Sequence, residues 1–475
     1  MMEKLNLIFV VFDTLRADYL GCYGNKKIYT PNFDAFARES IIFDNVYPES
    51  LPTIPVRRAL HTGKRAYPFN NYYIMKWCPI RLPGWQPIDN NEQTIAENLV
   101  QNGYYTGFFS DTSAYFTPGM NFTRGFLQWE FIRGIEGSIY HSPSRVIPET
   151  FEKYGGDIKR IRKPYPRYYT LNAIANLSEV YSEEDTTTAQ LFLKAMRFIE
   201  ENRIFQPLFL FIDSFIPHEP WKAPDSYLEM YYKNPDYKGR TILHASYGPI
   251  DNQMTEEEFR HTVAHYCGLI SMVDTWFGYF IQKLKRLGMW ENSVVIVLSD
   301  HGTNFADNPE RIIGKPHYAL YPGVMRLPLL IHIPGVKGNR RFSQLLYNLD
   351  VTATLYNLAG IDKKIMLDGK DIMGIINKNQ WQGREYLTCR YGDSVWFRDE
   401  RYWVIMDVKG EARSVFDLKN DPGCQKNIVA EKPVKKIIEK AWKLILKDAN
   451  GHLPDYRNLI AQTDALGEKY SDKKK

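Results

Sequence analysis

The sequence predicts an α/β fold with a large, mostly parallel central sheet and a small antiparallel subdomain after it. Near-continuous apolar runs at Leu5–Phe12, Leu208–Ile212 and Val294–Leu298 read as strands buried on both faces, as parallel strands are. Each run leads to an acidic residue, Asp13, Asp213 and Asp300, and helical patterns separate the runs. From about Asp371 the pattern changes to short strand-like runs with turns between them. The expected division is residues 1–370 for the α/β domain and 371–475 for a C-terminal α+β subdomain.

In chain order, residues around Asn32–Glu39 read as a helix that leads into a strand over Ser40–Val46. The next segment, Glu49–Gly63, carries hydroxyls, prolines, two arginines and a closing glycine. Proline suits the first turn of a helix and glycine the residue past its end, which predicts a helix over 55–62. Thr53 then stands at the amide-rich start, with Arg57 about one turn on and on the same face. A hydroxyl, a guanidinium and a helix N-terminus together suit a tetrahedral oxyanion. The alternative is a threonine that merely caps the helix.

The aromatic- and proline-rich stretch 67–91, with Trp77 and Trp85, either walls a substrate cleft or packs as a surface loop. A helix over Glu92–Gln101, closed by Gly103, precedes a strand over Thr106–Phe109. Asp111, at that strand's carboxyl end, is a turn residue or a substrate contact. The irregular insertion 137–180 carries Lys159, Arg160, Arg162, Lys163 and Arg167, a solvated loop or a lure for an anionic substrate. Thr255-Glu256-Glu257-Glu258 is a capping box opening a long amphipathic helix, with Lys285 and Arg286 in its last turn. Short strands are expected at Tyr386–Cys389, Ser394–Arg398, Tyr402–Met406 and Ser414–Asp417. An amphipathic helix over Pro433–Lys447 and a disordered tail, Gly467–Lys475, follow.

A chain of 475 residues with 44% hydrophobic and 24% charged side chains can bury a large core, and its composition is that of a soluble globular protein. The net charge of +5 is small for this length, and no nucleic-acid partner is expected. Five scattered cysteines without a CxxC pair favour free thiols in a reducing compartment. The first residues show no secretory pattern, and no run is long enough to cross a membrane. The expectation is a cytoplasmic protein without a membrane anchor, with homo-oligomerisation left open.

In open parallel sheets, ligands bind beyond the carboxyl ends of the strands. Asp13, Asp213, Asp300 and His301 are thus expected to converge on one edge. Carboxylates gathered there repel one another unless a cation lies between them, which points to a metal site.

Several motifs carry a family resemblance. Phe12-Asp13-Thr14-Leu15-Arg16-Ala17-Asp18 and Gly21-Cys22-Tyr23-Gly24 look like the start of a sulfatase, as do Tyr29-Thr30-Pro31-Asn32 and the Pro55–Gly63 segment. Pro217-His218-Glu219-Pro220-Trp221, Ser299-Asp300-His301-Gly302, Gly314-Lys315 and Phe416-Asp417-Leu418 to Asp421-Pro422-Gly423 continue it in family order. The chain therefore resembles the sulfatase branch of the alkaline phosphatase superfamily over nearly its whole length. The resemblance implies an alkaline-phosphatase-like sandwich and hydrolysis of a small anionic ester. It also implies one divalent metal held by Asp13, Thr53, Asp300 and His301, with Arg57 and Lys315 stabilising oxyanion charge and His218 protonating the leaving group.

The departures from the family pattern are chemical. Thr53 stands where sulfatases carry a cysteine or serine that becomes formylglycine, and the methyl on its β-carbon forbids that aldehyde. Val56 replaces the usual serine, Thr14 a second aspartate, and His301 a frequent asparagine. The set Asp13, Thr53, Asp300 and His301 is closer to phosphonate monoester hydrolases and lipoteichoic-acid-synthase-like phosphotransferases. The expected reaction is hydrolysis of a phosphodiester or phosphonate monoester through a Thr53 nucleophile. The alternatives are sulfuric ester hydrolysis without formylglycine and a silent anion-binding relative. Carboxylates with one imidazole favour manganese or zinc, with calcium or magnesium as alternatives. A second metal joining Asp213, His218 and His317 is disfavoured, because the Asp213-to-His218 spacing departs from the two-zinc pattern. Asp111, Asp213 and His317 stay as additional substrate-contact candidates.

Overall fold

Among the described residues, nine strands form the central sheet. Across it the order is Arg340–Phe342, Ile41–Tyr47, Leu327–His332, Ser293–Ser299, Asn6–Phe12, Leu208–Ser214, Tyr105–Ser110 and Gln128–Phe131, with Leu346–Tyr347 also pairing the Ile41–Tyr47 strand. The computed structural model describes residues 4–75, 78, 80–135, 137–154, 169–361, 366–377 and 381–460. Trp77, the basic residues Lys159, Arg160, Arg162, Lys163 and Arg167, and the Gly467–Lys475 tail lie outside the described residues.

The three apolar runs occupy the middle of this sheet as parallel neighbours. Phe12 stands opposite Ser214 on one side and Ser299 on the other, so Asp13 and Asp300 emerge together. The Leu327–His332 strand runs antiparallel to both its neighbours, which makes the sheet mostly rather than wholly parallel. Both faces are covered, as the unbroken apolar runs require. Leu7, Phe9 and Val11 pack with the Thr53–Thr62, Ile95–Gln101 and Asp350–Leu358 helices. Ile8, Val10 and Phe12 pack with the Pro31–Arg38, Thr187–Glu201 and Glu256–Arg286 helices. The last of these is the long helix expected from its capping box: the Thr255 hydroxyl accepts from the Glu258 N–H, and the Glu258 carboxylate accepts from the Thr255 N–H. Among the described residues no helix is long and apolar enough to cross a membrane.

Strands Tyr386–Tyr391, Ser394–Asp399, Tyr402–Asp407 and Ala412–Asp417 form an antiparallel sheet, and the Lys435–Asp448 helix buries Ala441 and Ile445 against it. This sheet has a fifth member from far earlier in the chain. Ser50–Leu51 pairs in parallel with Tyr386–Tyr391, Ser50 opposite Arg390 and Leu51 opposite Tyr391. The described part of the aromatic loop packs rather than lining a cleft: Trp85 is buried in the core, and the Tyr67 hydroxyl donates to the Ile445 carbonyl at 2.7 Å.

Candidate active site

The helix after Ser50–Leu51 runs Thr53–Thr62, two residues longer at its start than expected, with Pro52 in the capping position. Gly63 closes it at a φ of 69°, its N–H bonded to the Ala59 carbonyl at 2.8 Å. No side chain caps the start, so the Thr53 hydroxyl is not spent on its own helix. Instead Thr53 Oγ1 lies 3.4 Å from His301 Nε2. Buried Glu49 braces the segment from below, accepting from the Ala66 and Tyr67 N–H groups beyond the helix.

Asp13, Asp300 and His301 meet in front of Thr53. One donor atom from each lies within 4.8 Å of the others, and all three residues are fully buried. His301 Nδ1 faces the Gly302 carbonyl at 3.1 Å; a carbonyl only accepts, so Nδ1 carries the proton and the Nε2 lone pair faces the carboxylates. Burial, followed by the neighbouring cations, pushes the imidazole down to about 3 despite Asp13, which keeps it neutral. Asp13 Oδ1 accepts from the Thr14 hydroxyl at 2.7 Å, while Oδ2 takes no hydrogen bond. Thr14 itself holds a φ of 64°, rare for a β-branched residue, and this turns its N–H onto Asp300 Oδ1 at 3.0 Å. Burial and the Asp13 charge push Asp300 well above the usual carboxylate range. Two buried carboxylates and a neutral imidazole suit a divalent cation.

Arg57 corrects the sequence expectation. Rather than facing a substrate oxyanion, its fully buried guanidinium is enclosed by carboxylates. Nε and Nη2 donate to the two oxygens of Asp213 at 3.0 and 2.9 Å; Nη1 bonds Asp300 and lies 3.2 Å from Asp13. Asp213 is corrected with it. Its oxygens also accept from the Thr112 hydroxyl at 2.9 Å and the Tyr115 hydroxyl at 2.6 Å, which leaves nothing for substrate or a second metal. Thr112 and Tyr115 were invisible as functional candidates in the sequence, because only the fold brings their loop to Asp213.

On the other flank stand His218 and Lys315. Both lie close enough to Asp13 to help hold its carboxyl down against burial. Lys315 Nζ donates to Glu219 Oε2 at 3.0 Å and lies 3.5 Å from Thr14 Oγ1. Glu219 is a further residue the sequence reading passed over, although it sits inside the Pro217–Trp221 motif. Burial would raise its carboxyl, but Lys315 and His218 outweigh that and bring it down to about 2. His218 packs its ring on Phe215 at 4.1 Å, with Nδ1 2.7 Å from the Glu219 carbonyl. That carbonyl accepts the Nδ1 proton and leaves Nε2 for another partner. Replacing Glu219 with glutamine is expected to lower turnover roughly 10-fold or more, by freeing Lys315 from its charged anchor. Side-by-side kcat and KM values check this.

Asp111 and His317 stand outside this group. Asp111 accepts from the Phe215 N–H at 2.6 Å and is fully buried, a link between two strand ends rather than a substrate contact. Burial raises its carboxyl to about 7. Such a group binds a proton in the folded state that the unfolded chain has released, so its contribution to stability is lost as pH rises from about 4 to 7. Asp111→Asn is expected to flatten that slope and to stabilise the protein above pH 7 by on the order of 1 kcal/mol or more. Thermal melts at pH 5 and pH 8 check it. His317 packs on the C-terminal sheet, its Nδ1 3.0 Å from Ser394 Oγ, and is not part of the Asp13–Asp300–His301 cluster.

The profile of the sulfatase family matches residues 5–361, and that of the N-sulphoglucosamine sulphohydrolase C-terminal region matches residues 317–450. An arylsulfatase of Clostridium perfringens is 24% identical, over 95% of this chain and 96% of its own length. A multifunctional alkaline phosphatase superfamily protein of Trinickia caryophylli is 23% identical over 96% of this chain and 98% of its own. The crystal structure of the phosphonate monoester hydrolase of Agrobacterium radiobacter superposes with a TM-score of 0.69 at 20% identity, over 94% of this chain and 96% of the other. It shares the fold.

Proposed function

The chain belongs to the sulfatase family, and from the geometry around Thr53 we propose that this hydrolase cleaves phosphodiesters or phosphonate monoesters with Thr53 as its nucleophile. One observation carries the reading: the Thr53 hydroxyl is unused as a cap and faces His301 beside two buried carboxylates. Threonine chemistry supports phosphorus over sulfur. A hydrated formylglycine can expel its sulfate by elimination, whereas a threonyl ester must be opened by attack at the central atom.

Asp13, Asp300 and His301 would hold a divalent cation, whose charge would lower the pKa of the Thr53 hydroxyl. Thr53 releases its hydroxyl proton to solvent as Oγ1 attacks phosphorus, the bond from phosphorus to the leaving oxygen breaks, and His218 gives that oxygen a proton that it later regains from water. Lys315, held by Glu219, stabilises the charge on the non-bridging oxygens. Water then attacks the phosphorus, returning the Thr53 hydroxyl and releasing phosphate monoester or phosphonate. Arg57 binds no substrate in this scheme; its hydrogen bonds hold the Asp300 and Asp213 carboxyl groups in place.

The test is turnover of an aryl phosphodiester, an aryl phosphonate and an aryl sulfate with manganese or zinc added. Phosphorus esters are expected to be the faster substrates, and a chelator is expected to stop their turnover. The arylsulfatase relative favours the second reading, a sulfuric ester hydrolase, and dominant sulfate turnover would establish it over the first. His301→Ala is expected to weaken manganese binding at least about 10-fold, readable by calorimetry without any substrate.

A further inference from the structure

Resting on that ester-hydrolase reading, we propose that Tyr247 determines specificity, as an aromatic platform that stacks a ring-bearing substituent of the ester beside Lys315. A three-stranded sheet joins Gly248–Pro249, Ile312–Gly314 and Asn304–Phe305, with Ile313 opposite both Gly248 and Phe305. It ties three things together: the loop leaving His301, the loop bearing Lys315, and Tyr247 just before the Gly248–Pro249 strand.

Gly314 brings the ring close. It holds a φ of 82°, and a Cβ there would lie 2.1 Å from Tyr247 Cδ1, so the bare backbone is what admits the ring beside Lys315. Lys315 Nζ then stands 5.3 Å from the ring centroid. The two residues differ in exposure: Lys315 is 4% exposed and Tyr247 41%. The ammonium is inside, against Glu219 and Thr14, and the ring is at the rim. A tetrahedral anion held by Lys315 must send its substituent outward past that rim. An aryl ring or the flat face of a sugar ring meets the tyrosine π surface there, whereas a small alkyl group does not reach it.

The experiment measures calorimetric affinities of the manganese-loaded protein for inorganic phosphate and for phenylphosphonate, in wild type, Tyr247→Ala and Tyr247→Phe. The expected result is phenylphosphonate binding weakened roughly 3- to 10-fold in Tyr247→Ala, unchanged phosphate binding, and wild-type values in Tyr247→Phe. Equal weakening of both anions would mean that Tyr247 only supports Lys315, and would overturn the proposal. So would unchanged phenylphosphonate binding in Tyr247→Ala. If wild type binds neither anion, the ester-hydrolase reading itself falls and takes the platform with it.

Discussion

Thr53→Ala is expected to remove phosphorus-ester turnover, by at least about 10³-fold and toward the roughly 10⁶-fold seen when an enzyme loses its nucleophile. The fold should barely register the change. Thr53 makes no capping bond, so the loss of its hydroxyl should cost less than the ~1 kcal/mol typical of a lost cap. Metal binding should persist, because Asp13, Asp300 and His301 are untouched. Thr53→Ser keeps a hydroxyl at the same place and should keep measurable turnover. Initial rates on an aryl phosphonate, with melting curves of each variant, separate the outcomes. Turnover by Thr53→Ala at the wild-type rate would eliminate Thr53 as nucleophile and leave direct attack by water.

Arg57→Met should produce the largest loss of stability, roughly 3–5 kcal/mol, because it leaves several buried carboxylates without their cation. The sign with pH is fixed. Without Arg57, burial should push Asp300 further above the usual carboxylate range, and Asp13 should lose one of the cations that hold it below that range. Both changes leave stability intact at low pH and cost it as pH rises past the ordinary carboxylate value. The deficit should therefore be smaller at pH 5 than at pH 8. Manganese or zinc should recover part of it, since Asp13 and Asp300 are shared between the guanidinium and the predicted cation site. Urea denaturation at both pH values, with and without metal, measures these effects. A deficit independent of pH and metal would show that Arg57 stabilises through packing alone.

The central strands and long helices were legible because their patterns are local: an unbroken apolar run, a capping box, a glycine past a last turn. The convergence of Asp13, Asp300 and His301 was legible too, since strand ends in a parallel sheet face one way. What the residues could not reveal is which atoms other segments present to them. Helical spacing put Arg57 on the face of Thr53 but said nothing of Asp213, Thr112 and Tyr115, whose network claims the guanidinium and its partner. Glu219 hid for the same reason, its role lying in a bond to a lysine that only the fold brings near. Ser50–Leu51 is too short for any periodicity to announce a strand.

That two-residue strand has a consequence for how the protein matures. The peptide leading into Thr53 completes its hydrogen bonding only against Arg390 and Tyr391, which leave the ribosome late in synthesis. A nascent chain that has folded its central sheet already owns Asp13, Asp300 and His301, yet the segment leading into Thr53 still lacks the strand that pairs with it. A chain ending short of Tyr386 is therefore expected to keep Asp13, Asp300 and His301 together while lacking the strand partner of the peptide that leads into Thr53.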